Sequence, residues 1–148
     1  MDESIRDRML NFLASHNVMT LATVRPDGFP QARMVYYVHS DLTIYFATDP
    51  GSQKAGNIGL NSKVSVAIAG QTERAYKLQA CYLSGTAKRL TDPRLVHSTQ
   101  LMLFQAVSEA KRFSPADPEQ LAVYSITPVA ISLVDFEYGY GKTFQIEL

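Results

Sequence analysis

The residues whose types and spacing could do chemistry lie between Arg33 and Asn57. Leu42 to Thr48 is β-rich, Asp49-Pro50-Gly51 is a turn, and Ser52-Gln53-Lys54 opens a short helix. A helix start presents unpaired backbone N–H groups and a partial positive charge, which suits an anion. Ser52 is placed to cap that start, because its hydroxyl can accept from an N–H one turn on. Lys54 is the odd residue. A cation in the first turn opposes the helix dipole, and no acid follows at Gln53, Ala55 or Gly56 to offset it. A bound phosphate removes that conflict. Arg33, isolated among Ala32, Met34, Val35, Tyr36 and Tyr37, offers a second positive charge from the preceding strand. Taken singly, Arg33 and Lys54 read as solvated surface charges. Their order with Ser52 points instead to a phosphate-bearing cofactor held between Arg33 and the Ser52–Lys54 turn.

Other chemistries find less support. His16, His39 and His97 lack metal-ligand spacing, so no metal site is expected. No Gly-x-Ser-x-Gly nucleophile elbow occurs. Gly139 and Gly141 follow a strand without opening a helix, so they mark a bend or a close approach to a ligand rather than a dinucleotide fingerprint. Cys81 reads as a small buried hydrophobe. Tyr36, Tyr37, Tyr45 and Phe46 either stack on a planar ligand or fill the core, and core is the favoured reading for most of them. Lys111-Arg112 is a charge pair at a helix end, where cations are favourable.

The elements that must position these residues follow from periodicity. Ser4 to Asn17 is an amphipathic helix with Ile5, Met9, Leu10, Phe12 and Leu13 on one face, capped by Ser4 and closed by a left-handed Asn17. Strands are expected at Val18–Arg25 and Phe29–Val38, joined by the Arg25-Pro26-Asp27-Gly28 turn, with Pro30 marking an edge or a strand start. After a turn at His39-Ser40-Asp41 come a strand at Leu42–Thr48, a helix at Gln53–Leu60 and a strand at Lys63–Ala69. A polar loop over Gly70–Ala75 leads to a long strand at Tyr76–Leu90, bent at Gly85. Asp92-Pro93 opens a helix running to about Arg112, with Leu95, Leu101, Met102, Phe104 and Val107 as its apolar side. A proline-punctuated loop over Phe113–Glu119 precedes three short strands at Leu121–Thr127, Ala130–Phe136 and Thr143–Leu148. Sequential strands, tight turns and three peripheral helices predict a mainly β fold, a closed antiparallel barrel of six to eight strands.

The 148 residues fit one domain, and a hydrophobic fraction of 46% suffices for a core. Lys plus Arg equals Asp plus Glu at 14 each, so no basic field favours nucleic acid. One cysteine excludes an intramolecular disulfide framework and suits a reducing compartment. Met1-Asp2-Glu3-Ser4 is unlike a secretory signal, and no apolar run approaches the roughly 18 residues of a membrane-spanning helix. A soluble cytoplasmic protein is expected.

The order of these features resembles the pyridoxamine-5′-phosphate-oxidase-like split-barrel flavoproteins across nearly the whole chain. The stretches that carry the resemblance are Val18–Thr23, Asp27-Gly28-Phe29-Pro30, Arg33-Met34-Val35, Phe46-Ala47-Thr48 with Ser52-Gln53-Lys54, and Gly85-Thr86-Ala87-Lys88-Arg89-Leu90. The resemblance implies an antiparallel split β-barrel of the FMN-binding type over residues 1–148, and a homodimer with FMN in the subunit cleft. By it, Arg33 and Lys54 take the phosphate with Ser52 and Gln53 helping, Met34, Val35, Ala47 and Thr48 lie along the isoalloxazine ring, and Gln79 of the other subunit adds a polar contact. The substrate motif of the true oxidases, rich in arginine and histidine, has no counterpart, since neither residue occurs after Arg112. Tyr138 and Lys142 are only loose counterparts of a Trp and an Arg near the flavin in those enzymes. The small flavoreductase branch fits better, with an unassigned small-molecule redox substrate and no catalytic side chain, because the flavin does the redox chemistry. The alternatives are a deazaflavin-dependent reductase, or a non-enzymatic flavin- or haem-handling protein on the same barrel, with His39 as the histidine beside a barrel strand.

Overall fold

The computed structural model describes residues 3–70, 72–107 and 120–148. The strands are β1 (Val18–Val24), β2 (Pro30–Tyr36), β3 (Val38–Ser40), β4 (Thr43–Thr48), β5 (Lys63–Ala69), β6 (Gln79–Arg89), β7 (Ala122–Asp135) and β8 (Thr143–Glu147). The helices are α1 (Glu3–Ala14), α2 (Gln53–Leu60) and α3 (Pro93–Ala106). All eight strands join one antiparallel sheet in the order β2-β1-β5-β6-β7-β4-β3, with β8 also paired to β7. One edge of β7 is followed by β6 from Tyr124 to Asp135. The other edge is divided: Ala122–Ile126 pair with β4, and Ala130–Val134 pair with β8. The sheet curls until β2 approaches β4, which makes the barrel a split one.

Strict alternation builds the interior. Val64, Val66 and Ile68 of β5 face Leu83 and Cys81 of β6, while Ile44 and Phe46 of β4 meet Ile126 and Tyr124 of β7. Helix α1 closes one end with Met9, Phe12 and Leu13, all buried. It is latched there by the Tyr37 hydroxyl, which donates to the Leu13 carbonyl at 2.8 Å. Burial holds that phenol well above its ordinary range, with Cys81 a secondary cause.

The turns follow their residues. Gly28 takes φ +88° and donates its N–H to the Arg25 carbonyl, as the Pro-Asp-Gly turn demands. Asp92 caps α3 with Pro93 in its first turn. Gly139 and Gly141 both have positive φ, in the bend between β7 and β8.

Six local expectations change. Ser4 lies inside α1, which begins at Glu3, rather than capping it, and Val38–Ser40 is a strand of its own where the end of the preceding strand and a turn are expected. Asn17 is not left-handed; among the described non-glycine residues only Asp41 has a positive φ, and it turns β3 into β4. Tyr76 lies in a 3-10 turn, so β6 begins at Gln79. The two strands expected on either side of Pro128 are one, β7. Its ladder with β6 slips between Ser84 and Gly85, so Gly85 faces Pro128 while Ser84 faces Ala130. A proline without an N–H is tolerated in mid-strand at such a bulge. On α3 the inward stripe is Val96, Thr99, Gln100, Leu103, Phe104 and Val107, whereas Leu95, Leu101 and Met102 are exposed. Two polar residues inside the stripe shift its phase from the one that the apolar residues alone suggest. The continuation of this helix to Arg112, the Lys111-Arg112 pair and the Phe113–Glu119 loop lie outside the described residues.

Candidate functional site

Strand β4 ends at Thr48, and the chain turns tightly before α2. The Asp49 carboxylate accepts from the Gly51 N–H at 2.8 Å, and the Asp49 carbonyl accepts from the Ser52 N–H at 2.9 Å. Ser52 is the N-cap: its hydroxyl accepts from the Ala55 N–H at 3.3 Å and lies 3.2 Å from the Thr48 hydroxyl. The helix thus starts where the barrel strand stops, and no acid occupies its first turn. The uncompensated charge that the sequence implies at Lys54 is present.

Lys54 faces a cleft of about 250 Å³. Met34, Val35 and Tyr36 of β2 and Ala47 and Thr48 of β4 form one wall; Gln100, Leu103, Phe104 and Val107 of α3, with Leu121, form the other. Five of the nine expected site residues therefore line one cleft: Met34, Val35, Ala47, Thr48 and Lys54. Ser52 shapes it from behind as the cap. The amide of Gln53 turns away, donating to the Asn57 side-chain carbonyl at 2.8 Å. Arg33 is exposed on β2, with its guanidinium donating to the Ala32 carbonyl at 2.9 Å, and it does not line the cleft. Gln79 is elsewhere. It donates to the buried Asp135 carboxylate at 2.9 Å, in a second cleft of about 290 Å³ that it shares with Arg8 and Tyr138. The Arg8 guanidinium lies 4.3 Å over the Tyr138 ring, and the Lys142 amine lies 5.7 Å over Phe144.

The whole α3 wall escaped the sequence reading, and Tyr36, left open there between stacking on a ligand and core, lines the cleft. The correct phase of the helix, with Leu103 and Phe104 on the face shared with Thr99, was the signal available. Asn57 was missed too. It is fully buried, and its amide donates to the Thr23 hydroxyl at 2.9 Å and to the Gln31 side-chain carbonyl at 3.2 Å.

Chemically the cleft is apolar with one cation at its end. Such a site suits a flat, largely apolar ring that carries an anionic tail. Neither His16 nor His39 lines it; both border a separate groove under α1, where each Nδ1 is hydrogen-bonded to a backbone carbonyl, that of Phe12 and that of Asp41. Among the described residues, no three His, Cys, Asp or Glu side chains come together as a metal site.

Comparison with known proteins matches residues 5–135 to the family model described as Pyridoxamine 5'-phosphate oxidase. The chain belongs to that family. Within it, a stretch of 66 residues is 35% identical to General stress protein 26 of Bacillus subtilis (strain 168), covering 45% of this chain and 46% of that protein. The match thus spans about half of the curated relative's length. The fold is shared with a heme binding protein from Mycobacterium smegmatis, at a TM-score of 0.81 and 21% identity, over 99% of this chain and 59% of that one. It is also shared with a FAD-binding protein from Mesorhizobium loti, at a TM-score of 0.72 and 20% identity, over 85% of this chain and 91% of the other. No helix among the described residues is long and apolar enough to cross a membrane.

Proposed function

We propose that this family member is an FMN-binding oxidoreductase that works as a homodimer, with the cofactor at the subunit interface. The observation that carries this is the capped start of α2, where Lys54 faces the apolar cleft between β2, β4 and α3. The fit to FMN is good on two counts. A dianionic phosphate satisfies the free N–H groups of the helix start and the opposed charge of Lys54. The Met34, Val35, Ala47 and Thr48 wall is flat strand surface suited to a planar ring. Arg33, on the neighbouring strand and exposed, is the second phosphate ligand, reached by release from the Ala32 carbonyl.

Bound FMN supplies the redox chemistry. The chain's own residues bind, orient and exclude water: Leu103, Phe104 and Val107 cover the cleft from the α3 side. No carboxylate or histidine lines this cleft among the described residues, so the side chains that meet the substrate are apolar or neutral. The substrate is accordingly a small molecule that exchanges electrons with the flavin, of the quinone or nicotinamide kind.

Support for the dimer comes from the outward side of the sheet. Met34, Thr20, Ala67, Tyr82 and Ser132 are successive register partners across β2, β1, β5, β6 and β7, a row without a charge. The next row, Ala32, Ala22, Ser65, Ser84 and Ala130, is uncharged as well. Met34, in the first row, is 76% exposed and also lines the cleft, so a second copy on this face adds a wall to the site. Gln79, remote from the cleft in its own protomer, contributes there from the partner subunit.

The test is an absorbance spectrum of the purified protein before and after FMN is added and the excess removed. Retained flavin bands are expected. A colourless protein that retains no FMN overturns the proposal. A haem band in its place moves the ligand to the groove bordered by His16 and His39, and retention of a deazaflavin but not FMN changes the cofactor while keeping the cleft.

A further inference from the structure

We infer that Asn57 is a positioning residue that holds the two arms of the phosphate site at a fixed separation. The inference rests on the FMN reading above. Asn57 lies one turn after the Ser52–Lys54 start of α2, on the face turned to the sheet. Its side chain is 0% exposed and makes hydrogen bonds to three elements: Gln53 of its own helix, Thr23 of β1 and Gln31 of β2. Thr23 and Gln31 are register partners, so one amide clamps both strands of the hairpin together. Arg33 follows Gln31 by two residues and therefore lies on the same face of β2.

An apolar side chain would fill the same space. A buried amide costs free energy unless its donors and acceptor are all satisfied, and here they are. What the amide adds is a defined geometry, because hydrogen bonds fix distance and angle where apolar contacts tolerate sliding. Helix α2 needs such fixing. It has only eight residues, two of them Gly56 and Gly59, and no helix of that length is stable by itself. Its other buried residues are Ala55 and Ile58, which anchor it by apolar contact alone. The network Gln53–Asn57–Gln31 runs beneath the site, from the helix start that carries Lys54 to the strand that carries Arg33. Loss of Asn57 leaves both cations in place but no longer held together.

Riboflavin, which lacks the phosphate, separates this role from simple packing. The apoprotein is titrated with FMN and with riboflavin as the wild type, as Asn57→Leu, as Gln31→Met and as the double variant Arg33→Ala/Lys54→Ala. The wild type prefers FMN, and the double variant loses that preference. Asn57→Leu is expected to lower FMN affinity about tenfold, the scale of one charge-assisted hydrogen bond, while riboflavin affinity stays within about twofold. Gln31→Met, which cuts the β2 arm alone, shifts the preference in the same direction by a smaller factor. Equal weakening of both ligands by Asn57→Leu, or no weakening of either, overturns the inference. Should Asn57→Leu fail to fold, Gln31→Met decides, and an intact FMN preference in it is the overturning result. A preference kept by Asn57→Leu but lost by the double variant overturns the positioning role and leaves the FMN reading standing. A wild type that binds FMN and riboflavin alike overturns both.

Discussion

Cys81 sits in the middle of β6 with 1% of its surface exposed, and burial pushes its thiol up to about 12 from an ordinary value of 9.0. The folded protein therefore keeps a proton that the unfolded chain releases in alkali. The sign follows: stability is whole below pH 9.0 and falls as the pH rises toward 12. Inside that window the slope from this one group approaches about 1.4 kcal/mol per pH unit. Tyr37, raised for the same reason, adds to the fall above its own ordinary value of 10.0. Urea unfolding at about pH 8 and about pH 10 checks this: Cys81→Ala is expected to lower stability at both but to lose less between them than the wild type does. An identical loss in the two proteins removes the thiol as a cause. The burial of Cys81 was legible because its neighbours alternate, and the Ser52 cap because a cap and its target lie three residues apart. The Asn57 clamp was not. Its partners Thr23 and Gln31 lie in other elements, and only the folded hairpin brings them to it.

The edge of β7 changes partner from β4 to β8 at one backbone irregularity, the slip between β6 and β7 beside Gly85. A Cβ on Gly85 would stand 2.7 Å from the Thr127 carbonyl oxygen and 2.8 Å from a methyl carbon of Ile126. Backbone cannot yield as a flexible side-chain tip does. Gly85→Ala is expected to lose about 1–3 kcal/mol, read as a lower urea midpoint at an unchanged slope. A midpoint like the wild type's means that the two strands part easily here. Four elements could be read nearly to the residue from period and turn chemistry, β1, β4, α2 and β5, whereas α1 and β2 end three and two residues earlier than expected. The reading of β7 as two strands failed because Pro128 is a sound reason to end a strand until a bulge beside it, with Val129 left unpaired against β6, excuses it. The phase of α3 failed for a comparable reason, since its inward stripe includes a buried Thr99 and a cleft-lining Gln100, which hydropathy does not mark.

Over the whole molecule, the uncharged outward rows from β2 to β7 are the surface of the proposed dimer. A two-fold interface places each patch against itself, so one new charge is felt from both sides. Tyr82→Glu, in the first row and 49% exposed, is expected to give a monomer in analytical ultracentrifugation and to lose most of its FMN affinity. An unchanged dimer that still binds FMN would locate the interface elsewhere; a wild-type monomer that binds FMN would dispense with it. Balanced charge and ordinary composition gave no hint of this surface. The rows emerge only once the register sets side chains from five strands in line, which no single strand's alternation can foretell.

The divided edge of β7 also bears on how the chain reaches its fold. Every member of the proposed phosphate corner, from Thr23 to Asn57, lies in the first half of the sequence. Strand β4 has no such near partner on its inner side, because Ile44 must wait for Ile126. During synthesis, then, the corner's parts have all emerged while β4 still carries an open row of N–H and C=O groups. That interval is when a nascent chain is most open to pairing with another copy. It ends when β7 arrives, the strand that β6, β4 and β8 all require.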